Sequence, residues 1–466
     1  MPSQHKHLNM AKRQAKRRYC GMLALVSVLA IAVGTLISLS ADIHPIAYRS
    51  FSVVRRKPVY PAREPIYLVE HGLPPDSSVR HSLPPTASAR AIVVSQHGIT
   101  LLSAGVEIRE IHEAHPVINL VQVTKALHAR SWIRESASGT VTLLAALIIH
   151  RVDFTLGGDH VSRVHLADMP SVFVGEESGV LNIDNVVVRS VGGYQPAGGY
   201  YHPFVVAADR SALNATDSQF IGLGWNWLAS YGVSWMQGST GRIIGSTFKD
   251  GFIGAYSDHG VDLTFRYDTF KDNGLYGLDP HTHSTGLSVE HVIAEDNKAH
   301  GIIFSQHVTN SVIAYSISRD NGENGIMMDL ESSHNRIVDD IVTGNTGDGL
   351  VSTASGDNLY EGNVVSHNRI GVRISPADAA STVYEDNRIL GNGLTSQGVS
   401  LDGSNIAANN GGQWNWPMVR ATWTSVGAFI VLFAIARGLV AWRHRRKQVP
   451  VVSQRREVSE IPVSAL

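Results

Sequence analysis

At 466 residues, with 43 glycines, 43 % hydrophobic and only 17 % charged side chains, the chain is too apolar for general disorder, and its single cysteine excludes a disulfide scaffold or a multi-cysteine metal site. The net charge of −1 conceals basic ends around an acidic middle: residues 1–18 carry six Lys/Arg and no acid, 443–466 carry six against two acids, and 41–417 carry 25 against 38, a net −13. Nothing basic is concentrated in the middle, so nucleic acid is not an expected partner.

In chain order, the basic tail 1–18 leads into an uncharged run over 20–40, long enough to span a hydrocarbon core of about 30 Å. A transmembrane anchor over 19–41 is expected. The alternative is a cleaved signal peptide, with Ser38 and Ser40 as small residues before Ala41. Residues 42–90 contain Pro58, Pro61, Pro65, Pro74, Pro75, Pro84 and Pro85 and read as an extended linker. Residues 91–138 mix strand and helix signals and should cap the open end of the domain that follows.

Over 139–400 a repeat emerges. Short β-rich strings end in Asn or Asp and restart after glycine at Gly232, Gly254, Gly277, Gly301, Gly325, Gly349 and Gly371, in steps of 22, 23, 24, 24, 24 and 22. A second ladder, Asn273, Asn297, Asn321, Asn345, Asn368 and Asn392, steps by 24, 24, 24, 23 and 24. Segments of four to six residues alternating with period two fit no helical solenoid; they fit an all-β parallel β-helix, roughly eleven coils of 22–24 residues. The asparagines read as a structural corner ladder. Beyond a linker at 401–417, the apolar run 418–442 reads as a second transmembrane helix. Arg437 can snorkel at one end, and Trp414, Trp416 and Trp423 lie at the other. The tail 443–466 is basic. Both basic tails are therefore expected in the cytoplasm, with the β-helix held outside the inner membrane, in the periplasm.

Columns counted from each glycine assign the faces. One residue on, Val233, Ala255, Leu278, Ile302, Ile326, Leu350 and Val372 are apolar and must point inward; three on, Trp235, Pro280, Phe304, Met328 and Ile374 share that side. Strand side chains alternate, so positions two and four point outward. Position four reads Met236, Asp258, His281, Ser305, Asp329, Thr353 and Ser375; position two contributes Tyr256, Asp279 and Arg373. Adjacent coils lie about 4.8 Å apart, so Asp279, His281, Asp258 and Asp329 are expected on one exposed polar strip suited to a linear polymer. An imidazole beside a carboxylate is a candidate general base, its tautomer fixed by that carboxylate. With 19 of 22 histidines inside 41–417, position alone is weak grounds.

The string Tyr276-Gly277-Leu278-Asp279-Pro280-His281 resembles the Tyr-Gly-x-Asp-Pro-His signature of alginate (mannuronan) C5-epimerases, especially the periplasmic epimerase of alginate export. The likeness extends through Lys271-Asp272-Asn273, His300-Gly301-Ile302-Ile303 and Ser355-Gly356-Asp357-Asn358-Leu359, over about 190–400. The resemblance implies a right-handed parallel β-helix. It further implies that His281 takes the C5 proton of a mannuronate residue, assisted by Asp279 and Tyr276, with no cofactor. Asp258, His283, Ser305, Gln306, His307, Asp329 and Arg373 are the expected substrate contacts. Two positions depart from the family: Thr282 stands where Asp usually follows the histidine, and Gln306 where Arg neutralises the substrate carboxylate. His283 and His307, six residues after their glycines, are the candidate substitutes. His281, His283, His307 and Asp279 also have the donor types of a zinc site, but no metal is assigned, because exposed His-x-His is common. The expected activity is polymer-level epimerisation of β-D-mannuronate to α-L-guluronate in an exported polyuronate, with polysaccharide export machinery as a candidate partner. The alternatives are a polysaccharide lyase and a non-catalytic β-helix that binds an exported glycan.

Overall fold

The computed structural model describes residues 90–411, except 104–105, 129, 159, 168–171, 176–178, 193–201, 227–229 and 402. Most of this span winds into a right-handed parallel β-solenoid of about ten turns. The expectation of flanking transmembrane helices is corrected here: among the described residues no helix is long and apolar enough to cross a membrane. The two apolar runs, the basic tails and nearly all of the proline-rich stretch lie outside the described residues.

Each coil contributes one strand to each of three sheets. In the coil of the hexapeptide these are Leu278–His281, Ser288–Glu290 and Ile293–Glu295. The second sheet has ten strands, so complete coils number ten rather than eleven. Register follows the restart glycines: Val233, Ala255, Leu278, Ile302, Ile326, Leu350 and Val372 pair in succession. In this first sheet the period of 22–24 holds from Val233 onward. Earlier, Val172 pairs with Val205 and Val205 with Val233, steps of 33 and 28.

Strand β1 (Arg90–Ser95) extends the first sheet by pairing in parallel with Ala146–His150. Strands β2 (Gly98–Ser103) and β3 (Val106–His112) add to it as an antiparallel meander. Helix α1 (Leu120–Leu127) starts at Asn119, whose side chain accepts from the Gln122 N–H. It turns Leu120, Val123 and Leu127 into the core, and so plugs the first coil, whose inner face would otherwise meet water.

Inside, like stacks on like. Phe220, Phe248 and Phe270 form a file with centroids 4.7 and 5.0 Å apart. At one corner the expected asparagine ladder is present. Asn273 Nδ2 donates to Asn297 Oδ1 at 2.9 Å, and the pattern repeats through Asn321, Asn345, Asn368 and Asn392. Each amide also donates to a carbonyl of the preceding coil, so the corner's buried polar groups are paired. The restart glycines exist because the corner is crowded. A Cβ on Gly277 would lie 2.5 Å from Gly301 O and 2.8 Å from Asn297 Nδ2.

Candidate functional site

Parallel pairing sets His281 directly between Asp258 and Ser305, with Asp329 one coil further. Proline at 280 gives up its ladder N–H, and the pairing with the next coil is carried at Leu278 and His281. The imidazole is half-buried and tilted against the Tyr256 ring, 5.7 Å between centroids. Its Nδ1 lies 2.7 Å from Thr282 Oγ1, and that hydroxyl donates to Gln306 Oε1 at 3.3 Å.

The expectation of Asp279 on an exposed strip is corrected: it is 3 % exposed, and its Oδ1 has no partner among the described residues. Its column is closed over. Tyr256, Ile303 and Val351 share that column and are buried, and the residues preceding the strands, among them Tyr231, Phe252 and Tyr276, fold across the sheet's outer face as a second apolar cluster. Burial, with the Asp329 carboxylate nearby, raises the Asp279 pKa well above the carboxylate range. Burial thus favours the protonated form of Asp279, and the group at Nδ1 of His281 is Thr282, not a carboxylate. Strand alternation gave the correct face but could not show what lies over it.

Tyr276 is stacked on His300, 5.0 Å between centroids and 5° apart in plane. Burial, then Asp279, Glu323 and Asp329, raise the pKa of its hydroxyl, so it stays protonated. His300 carried a signal, in its string beside Gly301, but received no role from sequence reasoning. Its Nδ1 accepts from the Asn324 N–H at 3.2 Å, and its Nε2 lies 3.3 Å from Glu323. Burial, then the Arg373 charge, lower its pKa to about 4.

The other flank is a file of imidazoles. His283 and His307 stack at 4.6 Å and 2°, and His259, unanticipated, continues the file at 5.2 Å from His283. Asp258 bonds His259 at one end, and Glu331 lies 3.3 Å from His307 at the other. An open cleft of about 590 Å³ runs beside it, lined in part by Met236, Asp258, His259 and His283. Ser305 is buried beneath the strip, whereas Asp258 and Asp329 are partly open. Burial raises the Asp329 pKa, while the Leu330 N–H and Arg373 oppose that shift. Arg373 stands four coils beyond Asp279 in the same column, and its guanidinium is paired with the fully buried Asp348, which Arg369 also grips through two bonds of 2.8–2.9 Å. The structure therefore does not bring Arg373 to His281.

A family model described as periplasmic copper-binding protein (NosD) matches residues 213–427. A mannuronan C5-epimerase of Pseudomonas putida is 31 % identical over 208 residues, 42 % of this chain and 40 % of that protein. The corresponding enzyme of Pseudomonas aeruginosa is 32 % identical over 101 residues, 19 % of each. A crystal structure of a double mutant of the periplasmic alginate epimerase AlgG is 26 % identical with a TM-score of 0.56, covering 61 % of this chain and 71 % of that one. Over the matched stretch the chain is similar to the mannuronan C5-epimerases. The matched part spans at most about two fifths of the curated relatives' own length. A second AlgG structure, at 22 % identity and TM-score 0.57, supports the shared fold.

The described residues do not fit a copper site. No group of three or more His, Cys, Asp or Glu side chains converges among them. His283 and His307 lie face to face, so their ring nitrogens occupy separate parallel planes instead of aiming at one point. Cys20, the one thiol, lies outside the described residues.

Proposed function

We propose that this chain is a polymer-level C5-epimerase acting in the periplasm on mannuronan, alginate or a related polyuronate, turning β-D-mannuronate into α-L-guluronate units. The observation that carries this reading is the hexapeptide in its coil: His281 stands outward in register with Asp258 and Ser305, along a strip that a linear polymer can follow. His281 removes the C5 proton. The carbanion is conjugated with the sugar's carboxylate, so donors must meet the charge that develops there. Burial favours the protonated form of Asp279, which can donate. His283 and His307 offer further donors at the flank. Tyr276, half-buried beside acids, keeps its hydroxyl proton, which suits it to return a proton to the opposite face. The bonding change balances within the sugar: one C5–H bond breaks, one forms, and nothing is oxidised or reduced.

Incubation of the protein with polymannuronate in deuterated water tests the reading. Deuterium at C5 together with new guluronate supports it. Unsaturated ends absorbing in the ultraviolet would instead identify a lyase, which shares the first proton abstraction. Binding without exchange would identify a glycan-binding scaffold. His281→Ala should bind polymer nearly as well as wild type, with turnover lower by about 10²–10⁴, the range for a positioned acid–base group.

A further inference from the structure

The hydroxyl of Thr282 lies between two groups of fixed character. Gln306 Oε1, at 3.3 Å, is an amide oxygen and can only accept. The single hydroxyl proton of Thr282 therefore points to Gln306, and the hydroxyl meets His281 Nδ1, at 2.7 Å, with a lone pair. Two lone pairs cannot bond to each other, so Nδ1 must carry hydrogen. A neutral imidazole carries only one such proton, so the lone pair resides on Nε2.

The backbone supports the same arrangement. Thr282 has φ 30°, a left-handed conformation that a β-branched residue rarely adopts, and His283 follows at 56°. The turn is clamped from both neighbouring coils: Thr282 O accepts from the His259 N–H at 2.7 Å, and the His283 N–H donates to Gln306 O at 2.8 Å. Gln306 itself stands at φ 60°. Two successive turns are thus bent and tied so that one hydroxyl meets the ring and one amide meets the hydroxyl.

We propose that Thr282 and Gln306 are positioning residues that hold His281 as its Nδ1–H tautomer and make Nε2 the basic nitrogen. The role of His281 as base rests on the proposed epimerase reading; the tautomer does not. Thr282 and Gln306, which lie on adjacent coils, are in this structure one relay.

The test is two-bond 1H–15N correlation on full-length protein labelled at histidine, above the ring pKa, with His281→Ala used to assign the signal. Wild type should show protonated Nδ1 and unprotonated Nε2. Gln306→Glu, which can only accept, should keep that pattern. Gln306→Lys, which can only donate, should turn the Thr282 proton toward the ring and move the imidazole proton to Nε2. Thr282→Val should mix the two tautomers, and Thr282→Ser should restore the wild-type one. If the protein is an epimerase, Thr282→Val should lower turnover at least tenfold, and by up to about 10⁴ where the wrong tautomer dominates, with KM little changed. The alkaline limb of its pH profile should move, and Thr282→Ser should recover both. Protonated Nε2 in wild type, or an unchanged tautomer in both Thr282→Val and Gln306→Lys, would overturn the relay. The expected tautomers with no C5 exchange on any uronan would leave the relay standing and remove only the epimerase reading.

Discussion

Two buried side chains, one within the hexapeptide and one stacked on its tyrosine, draw opposite costs from pH. His300 has its pKa lowered to about 4 by burial and by Arg373, so the folded state prefers the neutral ring. Its contribution is complete above the unfolded value near 6.5 and is lost as pH falls toward 4, about 3 kcal/mol in all. His300→Gln should therefore flatten the acid side of the stability curve, measured as urea midpoints between pH 7 and 4; an unchanged acid slope would mean the ring is charged in the fold. Asp279 runs the other way. Its raised pKa favours the protonated form in the folded state, so its contribution is present below about pH 4 and lost as pH rises through the raised value. Asp279→Asn, nearly isosteric and never charged, should match wild type near pH 4 and exceed it in stability at pH 8–9. If the epimerase reading holds, its turnover should fall, because an amide N–H is a weaker hydrogen-bond donor to the developing charge than a carboxylic acid O–H. Equal midpoints at pH 9 would show that Asp279 is ionised and paired.

At the scale of the coil, the stacked corners are the unit of stability. Asn321 accepts from the Asn297 N–H and Nδ2 and donates to Asn345 Oδ1, to Ala294 O and to Ser318 Oγ. Asn321→Leu would strand several buried groups at about 1–3 kcal/mol each, so a loss of about 3 kcal/mol is expected, read as a lower chemical-denaturation midpoint. A stable but inactive Asn321→Leu would make the ladder functional instead. A second corner contains a flaw. Asp340 accepts from the Ser316 N–H at 2.7 Å and occupies the place held one coil on by Asn363, but its Oδ2 is buried without a partner among the described residues, and its pKa is raised by burial. Asn363 uses its Nδ2 to donate to Ile337 O. Asp340→Asn should complete the ladder and stabilise by about 1–3 kcal/mol, more at alkaline than at acid pH, because the carboxylic acid is tolerated in the fold only while protonated. Much of this element was readable in the chain. The restart glycines and the Asn ladder fixed the coil register to the residue, because each such corner imposes the same steric and hydrogen-bonding demand every turn. What could not be read was cover. Asp279 shares a column with the buried Tyr256 and Val351, and only the fold of the preceding turns over the sheet excludes water there. His259 was missed as the head of the imidazole file because it lies five residues after its glycine, not six, and only the shorter turn of its coil brings it under His283.

At the scale of the whole molecule, a solenoid turns a sequence period into a ruler. Asp258, His281, Ser305 and Asp329 occupy four successive coils, about 14 Å at roughly 4.8 Å per coil, flanked by the Tyr276–His300 pair on one side and the imidazole file on the other. A pyranose ring is about as long as one coil is thick, so successive sugars can meet equivalent positions of successive coils while only one coil carries the base. Remote sugars then supply binding that positions the reacting one, which shows in the rate as well as in affinity. If the epimerase reading holds, kcat/KM on size-fractionated oligomannuronates should climb steeply up to about four units and level off beyond that length. Substitution at the ends of the strip should change this length dependence without moving the pH profile of the base. For Asp329→Asn the plateau should come at a shorter chain, because the last coil no longer discriminates. A rate independent of length from the dimer upward would show that the sugar at His281 is recognised alone and that the strip plays no part in binding.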